Sequence, residues 1–491
     1  FLVSSPTTFA DEARIALENL TDRATGLLNP SIRLGVTGLS RAGKTVFISA
    51  LIHNLLNDGR LPLFEARRAG RIRSVRLEEQ PDDAVPRFQY EDHIRALIGD
   101  RLWPDSTRAI SELRLTIEFN SASAWSRLFS AGKLSIDIVD YPGEWLMDLP
   151  LLEQDFRAFS DHASKLASSG ARAALGRQWM ALASAIDPAA PADEMLARDL
   201  AAAFTAYLKA CKADEHSYSA LAPGRFLMPG DLEGSPALTF APLLRFVDGK
   251  PARGSLQAMM ERRFEAYKTH VVKPFFRDHF ARLDRQIVLV DTLQAINRGP
   301  EALADLEGAL GDVLSSFRPG TNSFLSSFFT RRIDKVLVVA TKADHLHHES
   351  HDRLEAITRR LVDRAVGKIG RSGAGIAVMA LASVRATREA NVTRDGETLP
   401  VIVGTPIEGE TIAGERFDGR RKTAVFPGDL PRNPDVYFPQ SALRKPSEAP
   451  PTINIVRFRP PELEDTGGGM TLSLPHIRLD RALQFLIGDR L

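Results

Sequence analysis

Apolar runs of four to six residues alternate with longer amphipathic stretches along the chain, a pattern typical of a mostly parallel sheet flanked by helices. We expect buried strands at residues 32–36, 134–139, 287–290, 335–340 and 376–380. Residues 112–119 alternate strictly between apolar and polar side chains, which predicts a half-exposed strand. Apolar positions three and four residues apart predict helices at 45–56, 163–185 and 195–212, and amphipathic helices at 9–27 and 479–487.

Changes in composition between these elements predict four parts of the chain. Residues 151–285 are rich in Ala, Leu, Arg and Phe with helical periodicity, so we expect a large helical insertion here. From residue 388 the chain turns to Gly, Pro and Thr with short β-like pieces, which predicts a β-rich C-terminal appendage. The predicted parts are 1–150 (leading helix and first half of an α/β core), 151–285 (insertion), 286–387 (second half of the core) and 388–491 (appendage and final helix).

The overall charge and the cysteine usage narrow the class of protein. Lys and Arg number 63 against 62 Asp and Glu, a net charge of +1, so no global field favours nucleic acid or an anionic membrane. Aromatic and basic residues mix at 262–285, but aromatic side chains at helical spacing usually form core, and we expect no nucleic-acid partner. The single cysteine, Cys211, excludes an intrachain disulfide and fits a reducing compartment. No apolar run reaches the roughly 18 to 20 residues that span a bilayer. We expect a cytoplasmic protein, with peripheral attachment to the inner face of the membrane as an alternative.

A glycine-rich loop follows the first predicted strand and leads into the next helix, in the pattern Gly-x-x-x-x-Gly-Lys-Thr. Its glycines let backbone N–H groups curl around phosphate oxygens, and Lys44 can reach the β- and γ-phosphates. The Thr45 hydroxyl can bind Mg²⁺ at the start of the helix. The nucleotide-binding residues that this P-loop predicts are Gly38, Leu39, Ser40, Arg41, Ala42, Gly43, Lys44, Thr45 and Val46.

A second motif, Asp140-x-x-Gly143, stands at the end of a buried strand. Asp140 can reach Mg²⁺ through water while the N–H of Gly143 approaches the γ-phosphate. Residues 287–291 are a rival candidate for this second motif, because this strand also ends in Asp. Three positions after that Asp, Gln294 stands in place of the glycine, so we interpret 287–291 as a further strand of the sheet.

The third motif, Thr341-Lys342-Ala-Asp344, also follows an apolar strand. The Asp344 carboxylate can accept two hydrogen bonds from the guanine edge, and the stem of Lys342 can lie along the base. Adenine offers no such pair of donors. Beyond the next strand, Ser383 and Val384 can place backbone N–H groups at the guanine O6.

The order of these motifs, each at a strand end, resembles the translation-factor-like class of P-loop GTPases. The longer strings at 140–150 (Asp-Tyr-Pro-Gly-Glu-Trp-Leu-Met-Asp-Leu-Pro), 103–107 (Trp-Pro-Asp-Ser-Thr) and 458–461 (Phe-Arg-Pro-Pro) resemble the bacterial YcjX-like family over most of the chain. The resemblance implies a P-loop GTPase-like α/β fold that binds GTP or GDP with Mg²⁺. It also implies a link to stress physiology and a membrane-protein partner.

Two residues depart from the pattern of small GTPases and bear on catalysis. Glu144 replaces the usual Gln that orients the attacking water, so turnover is expected to be slow or to require a partner. Arg41 stands inside the P-loop, where the resembling loops of guanylate-binding proteins and atlastins carry an arginine that folds over the phosphates. The alternative is that Arg41 points to solvent. We therefore name Lys44, Arg41 and Glu144 as the candidate catalytic residues.

Two further features of the sequence concern metal ions. A Thr or Ser ahead of residues 112–119 should bind Mg²⁺ in the GTP state, and we choose Thr107, with Ser106 and Ser111 as alternatives. Thr45, Asp140 and Thr107 are thus the candidate Mg²⁺ ligands. The tract His345, His347, His348 and His351 lacks a supporting Cys or carboxylate in the sequence, and we interpret it as a solvated helix start.

Two functions of different classes fit these features. One is a GTPase switch that hydrolyses GTP and releases ordered loops. The other is a GTP- or GDP-loaded scaffold with negligible turnover, whose insertion and appendage bind a protein or membrane partner. An ATPase or a kinase would conflict with Asp344. Dimerisation is compatible with either function.

Overall fold

The structure is a computed structural model that describes residues 30–39, 41–105, 109–120, 132–213, 216, 218–317, 333–367, 375–394, 397–412, 414–438, 453–463 and 473–491. The predicted helix at 9–27 lies outside these residues.

A mixed sheet forms the centre of the molecule. Its strands are β1 Ser31–Gly38, β2 Ile72–Glu78, β3 Ser111–Phe119, β4 Gly132–Asp140, β5 Arg285–Val290, β6 Lys335–Ala340 and β7 Gly375–Ala380. Within the described residues these seven strands follow the order β2-β3-β4-β1-β5-β6-β7. The five strands from β4 to β7 in that order are parallel, whereas β3 pairs antiparallel with β4 and β2 antiparallel with β3. The α/β fold with a mostly parallel sheet is therefore confirmed.

Two details of the predicted strands are wrong. β2 lies in an arginine-rich stretch for which no strand was expected, and it pairs with β3 at the edge of the sheet. β3 is buried along most of its length rather than half-exposed, because its polar residues Glu112 and Thr116 are fully buried. Arg33 on β1 lies 3.1 Å from the Glu112 carboxylate and compensates its charge. Alternation in the sequence therefore identified the strand but not the burial of its polar face.

Helices cover the sheet and fill the region between β4 and β5. Their bounds are α1 Lys44–Leu56, α2 Glu65–Arg68, α3 Tyr90–Ile94, α4 Phe156–Ala167, α5 Arg172–Ser184, α6 Glu194–Lys212, α7 Gly224–Leu227, α8 Leu256–Tyr267, α9 Lys273–Asp278, α10 Thr292–Arg298, α11 Pro300–Ser316, α12 His351–Gly367 and α13 Leu479–Ile487. π-helical turns at Arg95–Asp100 and Lys268–Val272 follow α3 and α8. The 3-10 helices are Gly143–Glu153, Gly230–Leu232, Pro236–Leu238, Phe280–Arg282, Ala343–His345, His348–Ser350, Pro434–Tyr437 and Gly488–Arg490.

The helices between β4 and β5 share one hydrophobic core with a face of the sheet. Aromatic side chains dominate this core, as in the stack of Phe159 on Phe264, whose ring centroids are 5.0 Å apart. Val288 of β5 and Val338 of β6 belong to the same buried cluster. The aromatic residues of 262–285 are thus core side chains, as expected. None of the helices in the described part of the chain combines the length and the apolarity needed to cross a membrane.

The C-terminal part adds a small antiparallel sheet and a final helix. β8 Arg388–Arg394, β9 Glu397–Gly404 and β12 Thr423–Val425 pair in the order β12-β9-β8, and β10 Thr411–Ile412 pairs with β11 Glu415–Arg416. The apolar face of α13 joins the second core cluster, which also contains α1 and the other face of the main sheet. The last helix therefore packs on the α/β core rather than on the appendage.

Candidate functional site

The three sequence motifs meet at one edge of the main sheet. Because β4, β1, β5, β6 and β7 are parallel, their carboxyl ends lie at the same edge, and each motif follows one of these ends. Gly38 closes β1, Asp140 closes β4 and Thr341 directly follows β6. In open α/β sheets this edge is where ligands bind.

The P-loop connects β1 to α1 through a strained turn. Arg41 and Gly43 both have left-handed backbone conformations, with φ of 55° and 80°. Glycine adopts this conformation without steric cost, whereas at Arg41 it costs on the order of 1 kcal/mol or more. Backbone strain of this kind is concentrated at functional sites. The Arg41 side chain is exposed at the surface of the loop.

Lys44, the first residue of α1, faces the second motif. Its Nζ donates a 2.8 Å hydrogen bond to the carbonyl oxygen of Tyr141 and lies 2.5 Å from Oδ1 of Asp140. The Asp140 carboxylate is fully buried, so this ammonium compensates its charge inside the protein. The pair brings together one residue from each of the first two motifs.

Asp140 and Thr45 offer the types of oxygen atom that a Mg²⁺ site uses. Thr45 is buried, and its hydroxyl donates a 3.4 Å hydrogen bond to the carbonyl of Asp105. Carboxylate and hydroxyl oxygens are the hard ligands that Mg²⁺ prefers. Thr107 and Ser106 lie outside the described residues. Ser111 is paired with Asp140 across β3 and β4, and its buried hydroxyl stays an alternative ligand.

The second motif packs directly against the P-loop. A Cβ atom on Gly143 would lie 2.0 Å from the carbonyl oxygen of Gly38, so only glycine permits this approach. The next residue, Glu144, lies in the first turn of the 3-10 helix Gly143–Glu153. Its carboxylate lies 2.5 Å from Nζ of Lys212, the last residue of α6 in the helical insertion. Both side chains of this pair are largely buried.

Asp344 of the third motif is held rigidly. Its Oδ2 accepts a 2.9 Å hydrogen bond from the N–H of Ala386, and its backbone carbonyl accepts one of 2.5 Å from the Thr387 hydroxyl. The residue is 4% exposed, which fits a carboxylate preorganised for two donors of a base. Lys342 adopts a left-handed backbone, φ 59°, and its Nζ forms an ion pair with Asp291 at the end of β5.

The loop with Ser383 and Val384 follows β7 at the same edge of the sheet. Both residues are buried, and the loop is fixed on one side by the Ala386–Asp344 hydrogen bond. On the other side Ala382 pairs with Ile477, and the N–H of Arg385 donates to the carbonyl of Pro475. The segment before α13 therefore supports the loop that was expected to contact the guanine O6.

The remaining predicted residues lie along the P-loop. The N–H of Leu39 donates to the carbonyl of Leu289 on β5, Ala42 is buried, and Val46 is half-buried on α1. Ser40 lies outside the described residues.

The histidine tract is not solvated as expected. His345, His347 and His351 are buried, and only His348 is exposed. Burial lowers the pKa of His345 and of His351 below the usual range, so both rings are held in the neutral form. A carboxylate is also present, because Oε2 of Glu389 on β8 lies 2.6 Å from Nδ1 of His348. The sequence did not show this partner because it arrives from 41 residues further along the chain.

Two partners of the motif residues, Asp291 and Lys212, are not identified by the sequence motifs. Asp291 was noted only as a rival for the Mg²⁺ motif, and Lys212 stands in a helix with no motif. Both are tertiary partners of motif residues, and no local pattern signals such a pairing. Asp291 did carry one usable sign, since it ends a buried parallel strand at the edge where the other motifs lie.

Comparisons with known proteins agree with this arrangement. The family model of the YcjX-like family, DUF463, matches residues 32–491. The chain is 38% identical to "Ras-like GTPase YcjX" of Escherichia coli strain K12, over 97% of this chain and 100% of that protein. It is 33% identical to "Ras-like GTPase YcjX" of Shewanella oneidensis, over 97% of this chain and 99% of that protein. Motifs, fold and relatives agree, and the chain belongs to the YcjX-like family.

Proposed function

We propose that this protein binds GTP with Mg²⁺ at the edge of the main sheet, hydrolyses it to GDP and phosphate, and acts as a conformational switch in the cytoplasm. The observation that carries the proposal is the convergence of three motifs, with Lys44 on Asp140, Gly143 against Gly38, and Asp344 held by Ala386. The relatives' name, Ras-like GTPase, supports the same activity.

Nucleotide binding would change the partners of Lys44. In the described structure the ammonium is paired with Asp140, and the phosphates of a nucleotide offer it a stronger negative partner. When Lys44 turns to the phosphates, Asp140 needs a new cation. Bound Mg²⁺ would supply that charge and neutralise part of the negative charge of the phosphates. In this proposal Thr45 holds the ion directly and Asp140 holds it through water, with Thr107 as a further ligand.

Guanine selectivity would come from Asp344. One carboxylate oxygen accepts the N–H of Ala386, and the acidic group is kept in place for the two donors of the guanine edge. Adenine would leave the carboxylate without these donors, at a cost of roughly 1 to 3 kcal/mol for an unsatisfied buried group. The stem of Lys342 would lie along the base, and the loop at Ser383 and Val384 would approach its O6.

The switch would act through the 3-10 helix Gly143–Glu153, which is wedged between the P-loop and the insertion. The Trp145 ring stacks under the Arg225 guanidinium at 3.3 Å, and its Nε1 donates to the carbonyl of Met228. A Cβ on Gly224 would lie 1.9 Å from the carbonyl oxygen of Glu144, so the two backbones are in close contact. A shift of Gly143 toward a γ-phosphate must therefore be transmitted to the insertion, which we propose as the surface that responds to the nucleotide.

The scaffold function has one observation in its favour. Lys212 holds the carboxylate of Glu144. Glu144 stands where small GTPases carry the Gln that orients the attacking water. If this ion pair persists with GTP bound, turnover would be very slow. The protein would then present a nucleotide-loaded insertion and appendage to a protein or membrane-protein partner.

The base-recognition part of the proposal is tested with Asp344→Asn. We expect the wild type to prefer GTP to ATP by at least about tenfold, and the variant to prefer xanthosine triphosphate, whose edge has an acceptor where guanine has a donor. Competition binding of GTP, ATP and xanthosine triphosphate to both proteins measures this. Equal affinity of the wild type for ATP and GTP would contradict the assignment of guanine.

A further inference from the structure

Three side chains of the kinds that bind metal ions lie together beside the base motif Thr341–Asp344. They are His347 and His348, which follow Asp344 closely in the chain, and Glu389 on β8 of the appendage. One ligand atom from each of the three lies within 4.8 Å of the others. Oε2 of Glu389 is 2.6 Å from Nδ1 of His348 and 4.0 Å from Nε2 of His347.

The surroundings hold this group in place. His347 is 8% exposed, and its Nδ1 is buried with no hydrogen-bond partner among the described residues. Nε2, the nitrogen of this ring that faces Glu389, would be the ligand atom for an ion shared with that carboxylate. The Arg385 guanidinium donates a 3.0 Å hydrogen bond to Oε1 of Glu389, which turns Oε2 toward the histidines. Such support of a ligating carboxylate by a neighbouring donor is common in metal sites.

We propose that His347, His348 and Glu389 bind one divalent transition-metal ion, of which Zn²⁺ fits best. Two imidazoles and one carboxylate form the mixed N and O donor set that Zn²⁺ accepts, with water in the fourth position. Atoms that share a tetrahedral Zn²⁺ at bond lengths of about 2.1 Å lie about 3.4 Å apart. His348 and Glu389 must therefore separate slightly, which the exposed His348 side chain allows.

The ion would join the segment that follows Asp344 to the segment that donates hydrogen bonds to Asp344. His347 and His348 leave Asp344 on its carboxyl side, while Glu389 lies just beyond Ala386 and Thr387, which donate to Asp344. A metal ion here would fix β8 of the appendage to the segment that follows Asp344. This inference does not depend on hydrolysis, because the metal binds side chains that take no part in the proposed phosphate chemistry.

The test is a zinc titration of the full chain, free of any histidine tag and pretreated with a chelator, in competition with a chromophoric chelator. His348→Ala and Glu389→Gln remove one ligand each, and the second variant keeps an amide for Arg385. His216→Ala is the matched control, because it removes a histidine that stacks on Tyr218 in the insertion. Substitution of cobalt, read by its visible absorption, reports the coordination geometry.

We expect one Zn²⁺ per chain in the wild type and in His216→Ala, and at least about tenfold weaker binding in His348→Ala and in Glu389→Gln. Cobalt should show the strong absorption of a four-coordinate site only in the first two proteins. Circular dichroism and thermal melting without metal establish that each variant is folded. Absence of stoichiometric zinc binding in the wild type would overturn the proposal, and so would unchanged affinity in both ligand variants.

Discussion

At the scale of single residues, the site is defined by charges that compensate one another before a nucleotide arrives. Lys44 is paired with Asp140, Glu144 with Lys212, and Lys342 with Asp291. Each of these pairs removes part of the cost of burying a charge. In the proposed function a polyphosphate with its cation would bring new partners for Lys44 and Asp140, so binding would exchange existing interactions.

Arg41 is the residue with the sharpest catalytic prediction. Its strained backbone places an exposed guanidinium on the P-loop, where it can neutralise charge that builds up on the leaving β-phosphate oxygens. We expect Arg41→Ala to lower the single-turnover rate of GTP hydrolysis by about 10³-fold or more while changing GTP affinity little. Arg41→Lys should rescue poorly, because an ammonium cannot bridge two oxygens as a planar guanidinium does. An Arg41→Ala rate equal to that of the wild type would show that the arginine points to solvent.

At the scale of elements, the 3-10 helix Gly143–Glu153 is the proposed link between the nucleotide and the insertion. Besides the contacts of Trp145 and Glu144, it carries Asp148, which is buried deeply against the insertion. Oδ1 of Asp148 accepts a 2.7 Å hydrogen bond from the N–H of Gly224, and Oδ2 accepts one of 2.7 Å from the Tyr267 hydroxyl. The insertion therefore anchors this segment at its start, through Glu144 and Trp145, and in its middle, through Asp148.

The ion pair between Lys212 and Glu144 should discriminate between nucleotides. Without Lys212, the negative charge of Glu144 stands uncompensated next to the position of the γ-phosphate. We expect Lys212→Met to weaken GTP binding relative to GDP by roughly fivefold, the equivalent of about 1 kcal/mol for a partly buried pair. Lys209→Met, on the exposed side of the same helix, is the matched control. Adding Glu144→Gln should restore the ratio of affinities, measured by titration calorimetry; a ratio that stays at the wild-type value in Lys212→Met would refute the coupling.

Asp148 makes the stability of this junction depend on pH. Burial raises the pKa of Asp148 to about 7, against an ordinary value of 3.8, although Tyr267 and Gly224 counteract the shift. Between these values the folded state binds more protons than the unfolded state, so stability falls as pH rises from about 4 to above 7. The loss is a few kcal/mol, at most about 4.

The isosteric variant Asp148→Asn removes this titration, because an amide does not ionise. The hydrogen bond to Tyr267 can be kept, because the Tyr267 hydroxyl can accept from the amide. We expect the wild type to lose stability relative to Asp148→Asn between pH 5 and pH 8. Urea unfolding of both proteins at the two pH values measures the difference. The free energies of unfolding of the two proteins would run parallel with pH if Asp148 were ionised throughout.

The elements also show how far the sequence can be interpreted. The strand at 335–340 was predictable because an apolar run between charged residues has few alternatives, and the motif beside it followed from residue types at fixed spacing. β2 was missed because an edge strand rich in arginine has no apolar run, and its partner β3 supplies the hydrogen bonds. Lys212 and Glu389 could not be predicted, because each is brought to its motif by packing between distant segments.

At the scale of the whole molecule, the two larger core clusters connect different parts of the chain to the main sheet. One cluster joins the insertion to a face of the sheet, so the insertion rests on the same strands that carry the motifs. The other includes α1, which follows the P-loop, and α13, near the end of the chain. Ile477 and Pro475, just before α13, also support the loop with Ser383 and Val384. The P-loop helix α1 and the loop with Ser383 and Val384 are thus both supported by the last segment of the described chain.

The central claim is that this framework binds and hydrolyses GTP. The most direct measurement is single-turnover hydrolysis by the purified full chain with Mg²⁺, comparing GTP and ATP at equal concentrations, with Lys44→Ala as the control that removes the phosphate-binding ammonium. We predict conversion of GTP to GDP that depends on Mg²⁺, much slower conversion of ATP, and none in Lys44→Ala. Tight GTP binding without any conversion would contradict the enzymatic account and favour the nucleotide-loaded scaffold, and equal hydrolysis of ATP and GTP would contradict the base-recognition site itself.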